Sequence, residues 1–388
     1  MSLSRILRPA AVGLAAVSLV MGLTGGLARL GVSSSPASAM EFHGALMIAG
    51  FFGTLIGLER AVADGRSAAL MVPLLSLAGV VSLLTGFEQA GAAGFLLAGL
   101  GLTLLTGRAC WRQPTLFTAV VTIGAAFFVW ANALWLSGRT ITDVTYLWLG
   151  FLILTIVGER IELSRLMAPS DPAKLVLVGV IALFTAALAG GEPWNGSWLF
   201  GASLAALAAW LFVHDIARKT IRTRALARYS AFCLLGGYVW LVVAALGVVA
   251  APPGVAALGH DAAVHAIGLG FVLSMVFAHA PIILPAVAGA KVCYTPLLYL
   301  PAVLIQAAVA LRVGGDLSGH YDLLPVAAWA TVAAILLYGA LLAMTALVGK
   351  TGQCTCAGAT GEAKSGSARI GQTVRSVRSN ASPEKWIK

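Results

Sequence analysis

The sequence predicts an all-α polytopic membrane protein with about twelve transmembrane helices in three parallel pseudo-repeats of four. Three observations carry that prediction. The 388 residues are 59% hydrophobic and 10% charged, with a mean hydropathy of +0.92, too apolar for a water-soluble globule. The apolar runs are continuous rather than alternating. A bilayer accepts only helices or closed barrels, because every backbone polar group must be satisfied internally, and barrel strands would alternate. Finally, one ten-residue pattern occurs three times. Gly50-Phe51 runs to Glu59-Arg60, Gly150-Phe151 runs to Glu159-Arg160, and Gly270-Phe271 runs to His279 in the slot of the two glutamates.

A run of about 17–25 apolar residues crosses the hydrocarbon core. The predicted helices are 10–30, 42–62, 67–87, 90–107, 115–136, 144–161, 174–190, 197–214, 229–251, 262–287, 294–312 and 323–348. Basic residues punctuate them in order. Arg5 and Arg8 precede the first, Arg60 and Arg66 close the second, and Arg108 and Arg112 follow the fourth. Arg160, Arg165 and Lys174 join the sixth to the seventh, and Arg218, Lys219, Arg222, Arg224 and Arg228 join the eighth to the ninth. Lys291 follows the tenth, and seven more lie from Lys350 onward. All of these fall on one side. Of the 25 Lys and Arg, only Arg29, Arg139 and Arg312 fall on the other. The positive-inside rule then puts both termini in the cytoplasm of a bacterial inner membrane. The net charge of +10 is mostly this topology signal, so nucleic-acid binding need not be invoked.

Arg5 and Arg8, an apolar stretch and then Ala37-Ser38-Ala39 also resemble a signal peptide. The apolar stretch is longer than such segments carry, and its removal would break the three-unit count. The five cysteines show no secreted framework. Cys110, Cys233 and Cys293 lie in or near spans toward the inner face. Cys354 and Cys356 sit in a basic, Gly- and Ser-rich tail at 350–388 that reads as disordered and cytoplasmic, where thiols stay reduced.

The repeats divide the membrane domain (1–349) into units of about 1–112, 113–226 and 227–349. The motif falls on the second helix of each unit. A longer basic loop from His214 to Tyr229 explains why the third copy follows the second by 120 residues rather than 100. Four is even, so successive units begin on the same side. That differs from transporters made of inverted repeats or two halves of six spans. In structural terms alone, Gly-Phe would let helices approach closely and Glu-Arg would mark the water interface.

Ionisable residues inside a membrane usually mark a site or a water-filled cavity. His43 lies just inside the outer end of the second helix and His265 just inside the outer end of the tenth. Two imidazoles at one depth on equivalent helices are what an axially ligated heme iron requires, although both could be interface residues without a ligand. His279 lies 14 residues beyond His265, about 21 Å along the helix and within roughly 40° of the same face. Glu59 and Glu159 occupy the equivalent repeat positions. With Arg60 and Arg160 they could relay protons, bind a cation or form interhelical hydrogen bonds. His260 and His320 are expected in solvated outer loops, and His214 beside Asp215 at an inner helix end. Pro281 and Pro285 should kink the tenth helix and free carbonyls beside His279.

Three phrases carry a family resemblance. They are Glu41-Phe42-His43-Gly44, Gly158-Glu159-Arg160-Ile161-Glu162-Leu163-Ser164-Arg165 and His279-Ala280-Pro281-Ile282-Ile283-Leu284-Pro285. With twelve spans and ligand histidines on helices two and ten, they resemble the NnrS-type membrane proteins, distantly like subunit I of heme-copper oxidases. The resemblance implies heme b with His43 and His265 as axial ligands, and a link to nitric oxide, denitrification or membrane electron transfer. Helix six lacks the oxidase copper-ligand histidine and reads Val144-Thr145-Tyr146-Leu147-Trp148, which counts against a copper centre. A second heme at His279 would need a non-histidine or open partner position.

Three functions compete. The first is a heme-b protein of the inner membrane, with a redox partner or nitric oxide as its counterpart. The second is a secondary transporter of a small ion or metabolite using Glu59, Glu159 and His279. The third is a scaffold whose loop 218–228 and tail meet partners or anionic lipid.

Overall fold

The computed structural model describes residues 3–191, 197–256, 258–288 and 292–350. Lys291 and the expected tail with Cys354 and Cys356 lie outside them. The described residues form helices joined by short connections, with no strand among them. Eleven helices are long and apolar enough to cross a membrane. They are α1 (Leu7–Arg29), α2 (His43–Asp64), α3 (Ser67–Leu84), α4 (Glu88–Arg112), α5 (Leu116–Leu136), α6 (Ile141–Met167), α7 (Asp171–Ala189), α9 (Ala225–Ala250), α10 (Gly259–Pro285), α11 (Pro296–Ser318) and α12 (Leu323–Gly349). A twelfth, α8 (Trp198–His214), is apolar but shorter, at 17 residues.

Neighbours in sequence pack side by side from α1 to α6 and again from α7 to α12, and α12 returns to α1. Contact also runs from α4 to α5 and from α8 to α9, so the sequence units are not separate bodies. The three motif helices, α2, α6 and α10, touch one another. They are also the most buried spans, at 67%, 78% and 56% of their most apolar windows, against 50% or less elsewhere. The repeat therefore marks the centre of the bundle.

Each motif glycine permits a close helix approach. A Cβ on Gly150 would lie 2.5 Å from Leu188 Cδ1, and one on Gly270 would lie 2.5 Å from Trp240 Cγ. A Cβ on Gly50 would overlap the Ser18 hydroxyl. Phe51, Phe151 and Phe271 beside them are buried in the common core. Two of the three copies also share a backbone irregularity. Residues Leu46–Phe52 of α2 and Ala266–Val272 of α10 form seven-residue π-helical segments, in register with the motif. Segments of this kind interrupt α-helices mostly at functional sites. Hydroxyls from adjoining helices meet carbonyls of the first: Ser18 Oγ donates to Leu46 O at 2.9 Å and Ser76 Oγ to Ala49 O at 3.4 Å.

The prolines of α10 act as expected on local hydrogen bonding. Pro281 cannot donate to Phe277 O, and Tyr338 of α12 donates its hydroxyl there at 2.8 Å. Ser230 of α9 does the same for Ala278 O at 2.9 Å. In a membrane, side chains from neighbouring helices are the available replacement partners for such groups.

Several boundaries differ from expectation. Residues Ala37–Glu41 form a short helix against α1, and Gly25 has no Cβ that would strike Ala39 O. The eleventh helix runs on to Ser318, so Arg312 lies within it, buried, rather than at its mouth. The tenth begins at Gly259, which takes His260 out of the solvated loop assigned to it. His320 is exposed, as expected. Cys110 and Cys233 are free thiols, and Cys293 is disulfide-bonded.

Candidate functional site

His43 and His265 line one cavity of about 730 Å³, where the starts of α2 and α10 face each other. That volume lies within the range of about 300–1,000 Å³ typical of small-molecule and cofactor sites. The two rings are held alike. His43 Nδ1 donates to Gly22 O at 2.6 Å, and His265 Nδ1 donates to Asp261 O at 2.7 Å. A carbonyl can only accept, so each Nδ1 carries the proton and each neutral ring leaves Nε2 with a lone pair. Among the described residues no hydrogen bond occupies either Nε2. Fixing Nδ1–H on a backbone carbonyl is how metal-binding imidazoles are oriented. Gly26 makes room for the first ring, since a Cβ there would lie 2.8 Å from His43 Cε1.

The cavity is apolar inside and cationic at its mouth. Phe51, Phe52, Leu149, Leu152 and Leu269 line the interior, and Gly268 leaves a space in which a Cβ would meet nothing within 4 Å. Around the rim stand Arg29, Arg139 and Arg312. These are the three basic residues that fall on the minority side of the topology. No side-chain hydrogen bond or ion pair ties Arg29 or Arg139 to a described residue, while Arg312 reaches Asp316 Oδ2 at 3.1 Å and Asp261 Oδ2 at 3.5 Å. His260 also lines the cavity, edge-on to Tyr146 with ring centroids 5.5 Å apart. On the far wall, Trp135 Nε1 donates to Glu88 Oε1 at 2.8 Å.

His279 stands elsewhere, near the opposite, basic end. Its Nδ1 donates to Met275 O at 2.7 Å, and its Nε2 accepts from Arg160 at 2.9 Å. Both ring nitrogens are taken, so His279 belongs to a charge network rather than to the cavity considered for a cofactor. Arg160 Nε donates to Asp215 Oδ2 at 2.7 Å, with the two side chains only 3% and 1% exposed. Tyr238 donates its hydroxyl to the same oxygen at 2.8 Å, and Ala217 N donates to Asp215 Oδ1 at 2.7 Å. Beside this, Arg60 donates to Glu159 at 2.5 Å and lies 3.6 Å from Glu59. The interhelical Glu–Arg bonds considered for the motif therefore exist, but only Arg60 takes a motif glutamate. His214 stays local, stacked on Trp210 at 4.7 Å and bonded to Trp210 O at 3.1 Å.

Asp215 and Tyr238 were not among the residues singled out in the sequence. A short α8 is the signal that points to Asp215, because a helix that stops early leaves its terminal acid inside the bundle. Arg312 was likewise placed outside because the eleventh helix was ended at 312 rather than Ser318, and the tenth was begun at 262 rather than Gly259.

The chain belongs to a family described as a domain of unknown function, DUF8744, whose profile matches residues 8–347. No curated protein and no solved structure matches it.

Proposed function

We propose that this family member is an inner-membrane protein that binds heme b, with His43 and His265 as axial ligands. One observation carries the reading: two histidines on separate central helices open onto one cavity, each with Nδ1 committed and Nε2 free. The walls suit an amphiphilic macrocycle. Apolar side chains and the Cβ-free face of Gly268 accept the ring, and Arg29 and Arg139 at the mouth have guanidinium donors for two propionates. Heme supplies one-electron chemistry at iron. The chain orients both imidazoles, keeps water from the apolar wall and compensates the carboxylates. The positive-inside count turns this mouth toward the periplasm and keeps both termini cytoplasmic. The sequence resemblance to NnrS-type proteins supports a role in the nitric oxide or denitrification response, or in membrane electron transfer with a redox partner.

The test is an absorption spectrum of the detergent-purified protein, oxidised and dithionite-reduced, beside His43→Ala and His265→Ala. A b-type Soret and α band that is lost in both variants supports the ligand pair. His279→Ala should leave the bands in place. Protein without heme after expression with ample heme would end this reading. A second reading, a secondary transporter of a small ion or metabolite, draws on the gathering of Glu59, Glu159 and His279 in one network, and it predicts no chromophore.

A further inference from the structure

The network at the basic end has a charge count that does not close. Glu59, Arg60, Glu159, Arg160 and Asp215 carry three negative charges and two positive ones. His279 adds none, because its Nδ1 donates and its Nε2 accepts. Tyr238 adds none either. Glu162 is matched by exposed Arg165 at 3.3 Å, so that pair sums to zero.

The shortfall can be located. Arg160 is paired with Asp215 and donates to the neutral His279 ring, so the charges of that half sum to zero. Arg60 faces two carboxylates, holding Glu159 at 2.5 Å and Glu59 only at 3.6 Å. One guanidinium between two carboxylates leaves one negative charge within the central helices of a membrane bundle. A buried charge without a partner either finds a counter-ion or is neutralised. Among the described residues, no further cation pairs with either glutamate. The groups that act on them are Arg160, already held by Asp215, Glu162 from α6 and His279 from α10. Helix α3 carries no titratable group, and Arg8 of α1 and Arg108 and Arg112 of α4 form no ion pair with Glu59 or Glu159. Glu59, Arg60 and Glu159 remain 30%, 25% and 24% exposed, although α2 and α6 are the two most buried spans. At the ends of central helices that opening leads to the aqueous phase.

We propose that Glu59 and Glu159 form a proton-binding site, sharing one exchangeable proton that rests mainly on Glu59 and is loaded from water at the basic end. The step is a simple protonation, in which a carboxylate oxygen of Glu59 takes a proton from water and the network becomes neutral. No second cation is required, and the weaker of the two Arg60 contacts marks where the proton sits.

Infrared difference spectroscopy on the full-length purified protein tests this. The expected result is a protonated-carboxyl C=O band that disappears as the pH is raised and shifts in D2O. Glu59→Gln should abolish it. Glu159→Gln should abolish it too, because Arg60 then has a single carboxylate and the proton is no longer needed. Loss in both variants separates a shared proton from two independent carboxyls. Asp316→Asn, at the other end of the bundle, should leave the band unchanged. A band removed by Asp316→Asn, a band surviving Glu159→Gln, or a sodium-dependent signal without any protonated carboxyl would each overturn the proposal. The readout does not need heme, so a failure of the heme reading would appear only in the visible spectrum.

Discussion

Removing the Asp215 side chain gives the sharpest test of how this bundle tolerates charge. Asp215 accepts three hydrogen bonds, from Arg160, Tyr238 and the Ala217 amide, at 2.7–2.8 Å. In Asp215→Ala, Arg160 stays 3% exposed and keeps only the neutral His279 ring. Breaking a buried ion pair from one side costs about 3–5 kcal/mol, because the surviving charge is left uncompensated. Tyr238→Phe removes one neutral donor from the same carboxylate. Hydrogen bonds between membrane helices average about 0.6 kcal/mol and rarely exceed about 1.7. The aspartate variant should therefore be several times the more damaging. The double variant Asp215→Ala/Arg160→Met removes both charges and should recover about 2 kcal/mol or more of the loss. Reversible unfolding of detergent-solubilised protein, followed by tryptophan fluorescence, measures all three. An Asp215→Ala cost no larger than that of Tyr238→Phe would refute the reasoning, as would a double variant worse than the single one.

Three further outcomes follow from the packing and the cavity. Gly270→Ala places a Cβ 2.5 Å from Trp240 and should cost about 1–3 kcal/mol, whereas Gly268→Ala meets nothing within 4 Å and should stay within about 0.5 in the same unfolding assay. Tyr338→Phe leaves Phe277 O unpaired beside Pro281 and should cost about 1–3 kcal/mol, while Tyr321→Phe at the exposed surface should cost less than about 0.5. In the heme reading, Arg29→Gln or Arg139→Gln should weaken heme retention by roughly 10–100-fold with band positions unchanged, as measured by transfer to apomyoglobin, since a hydrogen bond to a charged group is worth about 1.5–3 kcal/mol.

Helix number and order were legible because hydropathy is a local property of the chain and lipid rewards it uniformly. The histidine pair was legible for a related reason: a membrane makes His43 and His265 conspicuous. Ends were read less well. The tenth helix was expected from 262 with His260 in a solvated loop, yet it begins at Gly259 and carries His260 to the cavity. Arg312 looked like a helix terminus, but the helix continues and buried Asp316 pairs with it one turn on. Asp215 looked like the first residue of a basic loop. Its burial depends on Arg160, Tyr238 and the Ala217 amide converging on it, a tertiary fact with no sequence period behind it. The close approach expected at the motif Gly-Phe pairs was legible as well, because a Cβ at Gly50, Gly150 or Gly270 would strike a neighbouring helix.

Helix α10 carries a member of each site, His265 near one end and His279 near the other. The 14 residues between them span about 21 Å, and the groups lining that stretch are almost all apolar. Over that distance a unit charge acts on another with about 0.8 kcal/mol at an effective dielectric constant of 20. In the heme reading, one electron added at the histidine cavity would thus raise the proton-binding constant of a group at that distance by roughly fourfold without any atom moving. The central helix is in effect the dielectric of a small capacitor, and its two plates are the two sites.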